Sequence, residues 1–207
     1  MLTVWGRVNS VNVQKVLWTL AELAIDHRRI DAGMKFGVTD TPEYRSMNPN
    51  GLVPTIDDDG YVLWESNVIV RYLAAKHANG TLYPADIASR FHAEQWMDWQ
   101  ATVFNAAITP VFLGLIRTPE ERRDVAAIEA ARVKTEGCLA ILDRHLAARA
   151  FMDGGTFTMA DIAVGVAANR WYRLPVAREA RPSVERWLER LTERPGFRAH
   201  VRDIALS

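Results

Sequence analysis

The chain has 207 residues, and its 25 Lys and Arg balance its 25 Asp and Glu, so no overall field draws it to nucleic acid or to an anionic membrane. Cys138 is the only cysteine, which excludes an intrachain disulfide, a redox thiol pair and a zinc site built on cysteines. The N-terminus has no apolar core of signal-peptide length, and the most apolar run, Ala106 to Ile116, is too short to span a bilayer and contains Pro110. A soluble, cytoplasmic protein of a reducing compartment is the expectation.

Leu2 to Trp5 is a short β-prone run, and Gly6 to Ser10 is a loop. Val13, Val16, Leu17 and Leu20 then recur at helical spacing, with Ser10 or Asn12 as the cap. His27 to Ile30 reads as a second strand. The polar, Gly-bearing stretch from Asp31 to Met47 predicts a short, loosely held helix. Asn50-Gly51 is a turn, and Val53-Pro54-Thr55-Ile56 is a β-prone run whose proline suits an edge strand. Asp58-Asp59-Gly60 predicts a hairpin into Tyr61–Trp64. Ser66 then reads as the N-cap of a helix with Ile69, Tyr72, Leu73 and Lys76 along one side.

A boundary is expected between Ala78 and Asp86, and all that follows reads helical. Ile87 to Ile116 predicts a long helix kinked near residues 106–110 by Pro110. Thr118-Pro119-Glu120-Glu121 carries the signals of a helix start, for a helix reaching about Ala150. Thr158 and Asp161 are spaced as a capping box, with Phe157 and Ile162 at the staple positions, ahead of an apolar and therefore buried helix. Pro182 and Pro195 each mark a first helical turn.

The chemistry concentrates between Val53 and Ser66. A cis Val53-Pro54 bond turns the backbone sharply and leaves the Val53 N–H and C=O facing outward, an edge on which an extended peptide pairs. The Ser66 hydroxyl and the first free N–H groups of its helix make a carboxylate site. Together they describe a receptor for a small acidic peptide. Val53-Pro54 followed by Glu65-Ser66 at the start of a helix resembles the glutathione transferase family, in its serine-type, theta-like bacterial branch.

That resemblance spans nearly the whole chain. It implies an α/β thioredoxin-like N-terminal domain (βαβαββα) over residues 1–78, a linker over 79–86, and an all-α helical domain over 87–207 that contributes the electrophile pocket. It further implies that glutathione is the co-substrate, held by Val53, Pro54, Glu65 and Ser66. Lys35 would compensate for Leu52, which stands where relatives often carry a basic residue or Gln. The thiolate would be stabilised from the loop before the first helix, by Ser10 or by Asn12. No cysteine lies in that loop, which disfavours the reductase and isomerase branches. The pocket for a small apolar electrophile is expected among Trp5, Arg7, Phe104, Val111, Phe112 and Trp171. The resemblance also implies a homodimer whose two-fold brings together the faces bearing Arg71 and Asp98, and it implies no metal. The alternative is a glutathione-binding or regulatory protein of the same fold without turnover.

Overall fold

The computed structural model describes all 207 residues. Strands β1 (Leu2–Trp5), β2 (His27–Ile30), β3 (Thr55–Asp58) and β4 (Tyr61–Trp64) form one sheet in the order β2-β1-β3-β4. The β1–β2 pair is parallel and the other two pairs are antiparallel. Strand β3 is therefore interior, contrary to the edge position expected from its proline. The ladder begins at Thr55, opposite Trp5 and Trp64, so Pro54 stands one residue ahead of it and its missing N–H falls outside the pairing. The hairpin forms as expected, with Asp59 and Gly60 at φ +52° and +92°, the left-handed pair that matches strand twist.

Helix α1 (Val11–Glu22) crosses over the sheet and packs beside α3 (Ser66–His77). Val13, Val16, Leu17 and Leu20 meet Leu2, Val4, Ile56, Ile69 and Leu73 in a first core. Gly6 allows the loop after β1 to close on this helix, because a Cβ there would lie 2.4 Å from Val13 Cγ2. The short helix α2 (Pro42–Met47) is held firmly, not loosely. Thr41 caps it, accepting from the Tyr44 N–H at 3.2 Å. Buried Tyr44 bonds through its hydroxyl to the Leu52 carbonyl and to Thr55 Oγ1 at 2.7 and 2.8 Å. Sequence periodicity carries no signal for such a hydroxyl anchor.

The remainder is helical and surrounds a second, larger core. Helix α4 (Ile87–Trp99) runs through a π turn at Gln100–Phe104 into α5 (Asn105–Phe112) and a further π turn at Leu113–Arg117. The hydrogen-bond ladder thus departs from α on either side of Pro110, not at the expected 106–110. The continuous stretch Ile87–Arg117 is long and apolar enough to cross a membrane by length and composition alone, more than the shorter apolar run suggested, and core helices meet the same measure. Here Met97, Phe104, Ile108 and Val111 pack it into the helical core.

Thr118-Pro119 begins only a single 3-10 turn, Glu120–Arg122. Helix α6 (Val125–Leu146) starts later, because Asp124 accepts from the Ala127 N–H at 2.9 Å and outcompetes Thr118 as the cap. Helix α7 (Met159–Tyr172) carries the expected capping box and is buried on all sides. Helices α8 (Pro182–Thr192) and α9 (Pro195–Phe197) each start on proline. Trp18 of α1 joins the two halves: its ring lies 4.9 Å from Phe197 and 5.7 Å from Phe157.

Candidate functional site

The loop between α2 and β3 is fixed by side chains. Asn48 donates to the Leu52 carbonyl and to Thr55 Oγ1 at 2.9 and 3.1 Å, and Tyr44 bonds to the same two atoms. The Val53–Pro54 bond that follows is cis. A cleft opens here, lined by Asn12 from α1, by Leu52, Val53 and Pro54, and by Glu65 and Ser66 at the start of α3. Four expected binding residues and one of the two thiolate candidates thus share one surface.

Ser66 is not the helix cap. The cap position belongs to Glu65, whose backbone is left-handed at φ +72° and whose side chain makes no capping bond. For a glutamate that conformation costs on the order of 1–3 kcal/mol, and such outliers gather at ligand sites. Ser66 is the first helical residue, so its own N–H is among the unpaired donors of the first turn. Its hydroxyl accepts from Lys15 Nζ at 3.3 Å.

Lys15 was not among the residues that pattern reasoning singles out. It lies on α1, is buried, and also donates to Asn67 Oδ1 and Gln100 Oε1 at 3.0 Å each. Asn67 in turn donates to the Met97 carbonyl at 2.8 Å, so the network ties the cleft floor to the first π turn of the long helix. All three acceptors of Lys15 are neutral. Burial, then Arg170, lowers its pKa to about 7, with Glu65 pulling the other way. The one trace in the sequence is the polar pair Ser66-Asn67 standing directly before the apolar run Val68-Ile69-Val70.

Ser10 occupies the N-cap position of α1, yet its hydroxyl makes no capping hydrogen bond. It is 8% exposed, and its side chain is not spent on holding the helix. Lys35 lies outside the cleft. It sits in the 3-10 turn Met34–Phe36 and shares a different cavity with Arg7 and Arg117. Of the residues expected around the electrophile, Arg7 alone lines that cavity. Phe104, Val111, Phe112 and Trp171 are buried in the helical core, and Trp5 is a half-buried residue of β1 paired with Thr55 and Ile30. Their apolar character is used for packing. Asp98 pairs with Arg71 of the same chain, which also reaches Glu94. No three His, Cys, Asp or Glu side chains are grouped so as to hold a metal ion.

Two family models match the chain: the glutathione S-transferase N-terminal domain over residues 1–75 and the glutathione S-transferase C-terminal domain over residues 125–190. The chain belongs to the glutathione S-transferase family. Glutathione S-transferase GstB of Escherichia coli K12 is 42% identical over 203 residues, 97% of this chain and 98% of that protein. Glutathione S-transferase F12 of Arabidopsis thaliana is 31% identical over 96% of each chain. Among solved structures, a theta class glutathione S-transferase of Xanthomonas axonopodis pv. citri with glutathione bound superposes with a TM-score of 0.96. It shares 43% identity, with 100% of this chain and 99% of that one covered. Family membership agrees with the two-part architecture, with a thioredoxin-like sheet domain followed by a helical one.

Proposed function

We propose that this transferase binds glutathione in the cleft between Val53-Pro54 and Glu65-Ser66 and joins its thiolate to an electrophile. The observation that carries this reading is that Val53, Pro54, Glu65 and Ser66 line one cleft, with Ser66 backed by a buried Lys15 that has no acid for a partner. The α-carboxylate of the γ-glutamyl residue sits at Ser66 and the free N–H groups of α3. Glu65 takes its ammonium group, and the Val53 main chain pairs with the cysteinyl residue.

This orientation directs the thiol to the N-terminus of α1, where Ser10 and Asn12 are the candidate donors. A thiol with a pKa of about 8.5 is only a few per cent ionised at pH 7. Lowering that value by roughly two units needs about 2.7 kcal/mol of preference for the thiolate. A hydrogen bond to an anion supplies roughly 1.5–3 kcal/mol, and a helix N-terminus about 0.3–1 kcal/mol more. One well-placed hydroxyl or amide therefore suffices, without a general base. The sulfur then attacks the electrophilic carbon, the leaving group departs with its electron pair, and the thiol proton passes to water.

The test is turnover of glutathione with a chloronitroaromatic acceptor, alongside calorimetry. Binding without turnover across a panel of electrophiles replaces the transferase with a non-catalytic glutathione-binding protein. The active unit in this proposal is a homodimer, supported by the exposed Val68, Phe91 and Val103 along α3 and the long helix. A monomeric mass by light scattering at micromolar concentration overturns it.

A further inference from the structure

The loop after β1, the Met34–Phe36 turn and the end of the long helix bring cations together at a cavity that no acidic side chain lines. Arg7, Lys35 and Arg117 line one cavity of about 260 Å³, walled also by Met34 and Phe36. Arg170 of α7 lies behind it. Its guanidinium is 4.3 Å from the centroid of the Phe112 ring, and that of Arg117 is 5.0 Å from the same ring. Arg170 is buried, and its Nε, like that of Arg7, is withdrawn from solvent with no hydrogen-bond partner.

None of these four cations enters an ion pair. The one oxygen that receives a hydrogen bond from the three arginines is the Ser207 main-chain oxygen, 3.0 Å from Arg117 Nη2. Asp203 lines the adjoining cavity with Arg7 and Lys35, but it is paired with Arg202 at 2.7 Å. Gly33, at φ +86°, leaves room for the Arg7 head, since a Cβ there would stand 3.2 Å from Nη1. Burial and mutual repulsion lower the pKa of Arg7, and that of Arg170 to about 10.

Arg170 is buried and Arg7 half-buried, with exposed Arg117 and Lys35 beside them and no acidic side chain against any of the four. Holding the two inner guanidinium groups in this way is unfavourable, and an anion in the cavity relieves it. This cavity is separate from the Val53–Ser66 cleft, which none of Arg7, Lys35 and Arg117 lines. The apolar residues expected to receive an apolar electrophile are in the core instead. Resting on the transferase reading, we infer that this cavity binds the carboxylate of the second substrate, so that the electrophile is an organic anion with a small apolar or aromatic body. Arg117 and Arg7 hold the carboxylate in charge-assisted hydrogen bonds, and Met34 and Phe36 face its carbon skeleton.

The experiment compares 4-chloro-3,5-dinitrobenzoate with its methyl ester. In both, the sulfur attacks the ring carbon bearing chlorine; the C–S bond forms, the C–Cl bond breaks, chloride leaves with the electron pair and the thiol proton goes to solvent. After division by each uncatalysed rate, kcat/KM is expected to favour the acid by at least tenfold. Arg117→Met and Arg7→Met should each lower that acid-to-ester ratio by about tenfold or more, the effect of losing one charged hydrogen bond. Arg117→Lys should retain part of it.

A binding arm uses the unreactive 3,5-dinitrobenzoate and its methyl ester, titrated calorimetrically into the glutathione-loaded protein. The acid is expected to bind at least tenfold tighter. Equal affinity of acid and ester overturns the inference. So does an Arg117→Met variant that slows both acceptors equally while raising the pKa of the bound thiol, because the cations then serve the thiolate. If neither acceptor is turned over, the binding comparison alone decides the anion site, and the transferase reading is decided by the wider electrophile panel.

Discussion

Asp161 and Lys15 are both buried charges, one in each half of the molecule, and they are held in opposite ways. Asp161 accepts from the Met152 and Thr158 N–H groups and from the Trp187 indole, each at 2.9 Å. Burial still pushes its pKa up to about 6 against those donors. Lys15 donates only to neutral oxygens, and the cleft lies on the far side of one of them. A buried charge saturated by fixed donors is architecture. A buried charge without a counter-charge, at the edge of a cleft, is a place where a ligand completes the structure. The arginine cluster repeats the second pattern at the neighbouring cavity.

The comparison breaks most visibly at Asp161. Asp161→Ala should destabilise the protein by roughly 3–5 kcal/mol in urea unfolding, because three buried N–H groups lose their acceptor at about 1–3 kcal/mol each. A loss under about 1 kcal/mol would show that the box is not structural in this sense.

Lys15 should respond to pH instead. Its folded pKa is lowered from 10.5 to about 7, so between these values the unfolded chain holds the proton and the native protein releases it. Stability from this group therefore rises with pH across that window, by up to about 1.4 kcal/mol per unit, and the full cost of burying the cation is present below pH 7. Arg170 from α7 and Arg71 from α3 oppose the charge, and Glu65 favours it. A ligand carboxylate at Ser66 raises the pKa, so binding takes up a proton above pH 7. With S-methylglutathione, whose sulfur does not titrate, affinity should be flat below pH 7 and fall by about tenfold per unit just above it. Lys15→Met should abolish both slopes. A parent protein with flat affinity from pH 6 to 9 would remove Lys15 from the binding site.

Ser66→Ala is the narrower probe of the same place. It strips one hydrogen bond from the ligand carboxylate, and glutathione affinity should drop by roughly 1–3 kcal/mol. An unchanged dissociation constant by calorimetry would mean that the anion sits elsewhere.

How far these features were legible in the sequence follows from their range. The hairpin at Asp59-Gly60, the capping box at Thr158 and Asp161, and the proline starts of α8 and α9 depend on residues within a few positions of one another, and the sequence displays them directly. The interior placement of β3 depends on which strand closes against β1, a long-range choice that its own proline does not encode. Helix α6 starts at Asp124 and not Thr118 because two local signals compete, and only packing decides between them. Lys15 is buried because α3, α7 and the π turn at Gln100 converge on it. A lysine on an amphipathic helix is otherwise read as solvated. The apolar residues expected at the electrophile pocket are buried in the core, and composition cannot distinguish a packed aromatic from one that faces a cavity.

Ser10 is the smallest and sharpest test. Its hydroxyl is free of the capping role that its position would give it, whereas Asn12 lines the cleft and Ser10 does not. If Ser10 donates to the thiolate, Ser10→Ala should leave glutathione affinity nearly intact, because the carboxylate and peptide contacts lie elsewhere. The pKa of the bound thiol, read from thiolate ultraviolet absorbance, should rise by about one to two units, equivalent to roughly 1.4–2.7 kcal/mol. The rate at pH 7 should fall by a similar factor and recover in part at higher pH. Asn12→Ala is the matched control, since it removes the neighbouring donor from the same helical turn. An unchanged thiol pKa in Ser10→Ala with a raised one in Asn12→Ala would transfer the role to the amide. It would also leave the free hydroxyl of Ser10 without an assigned function.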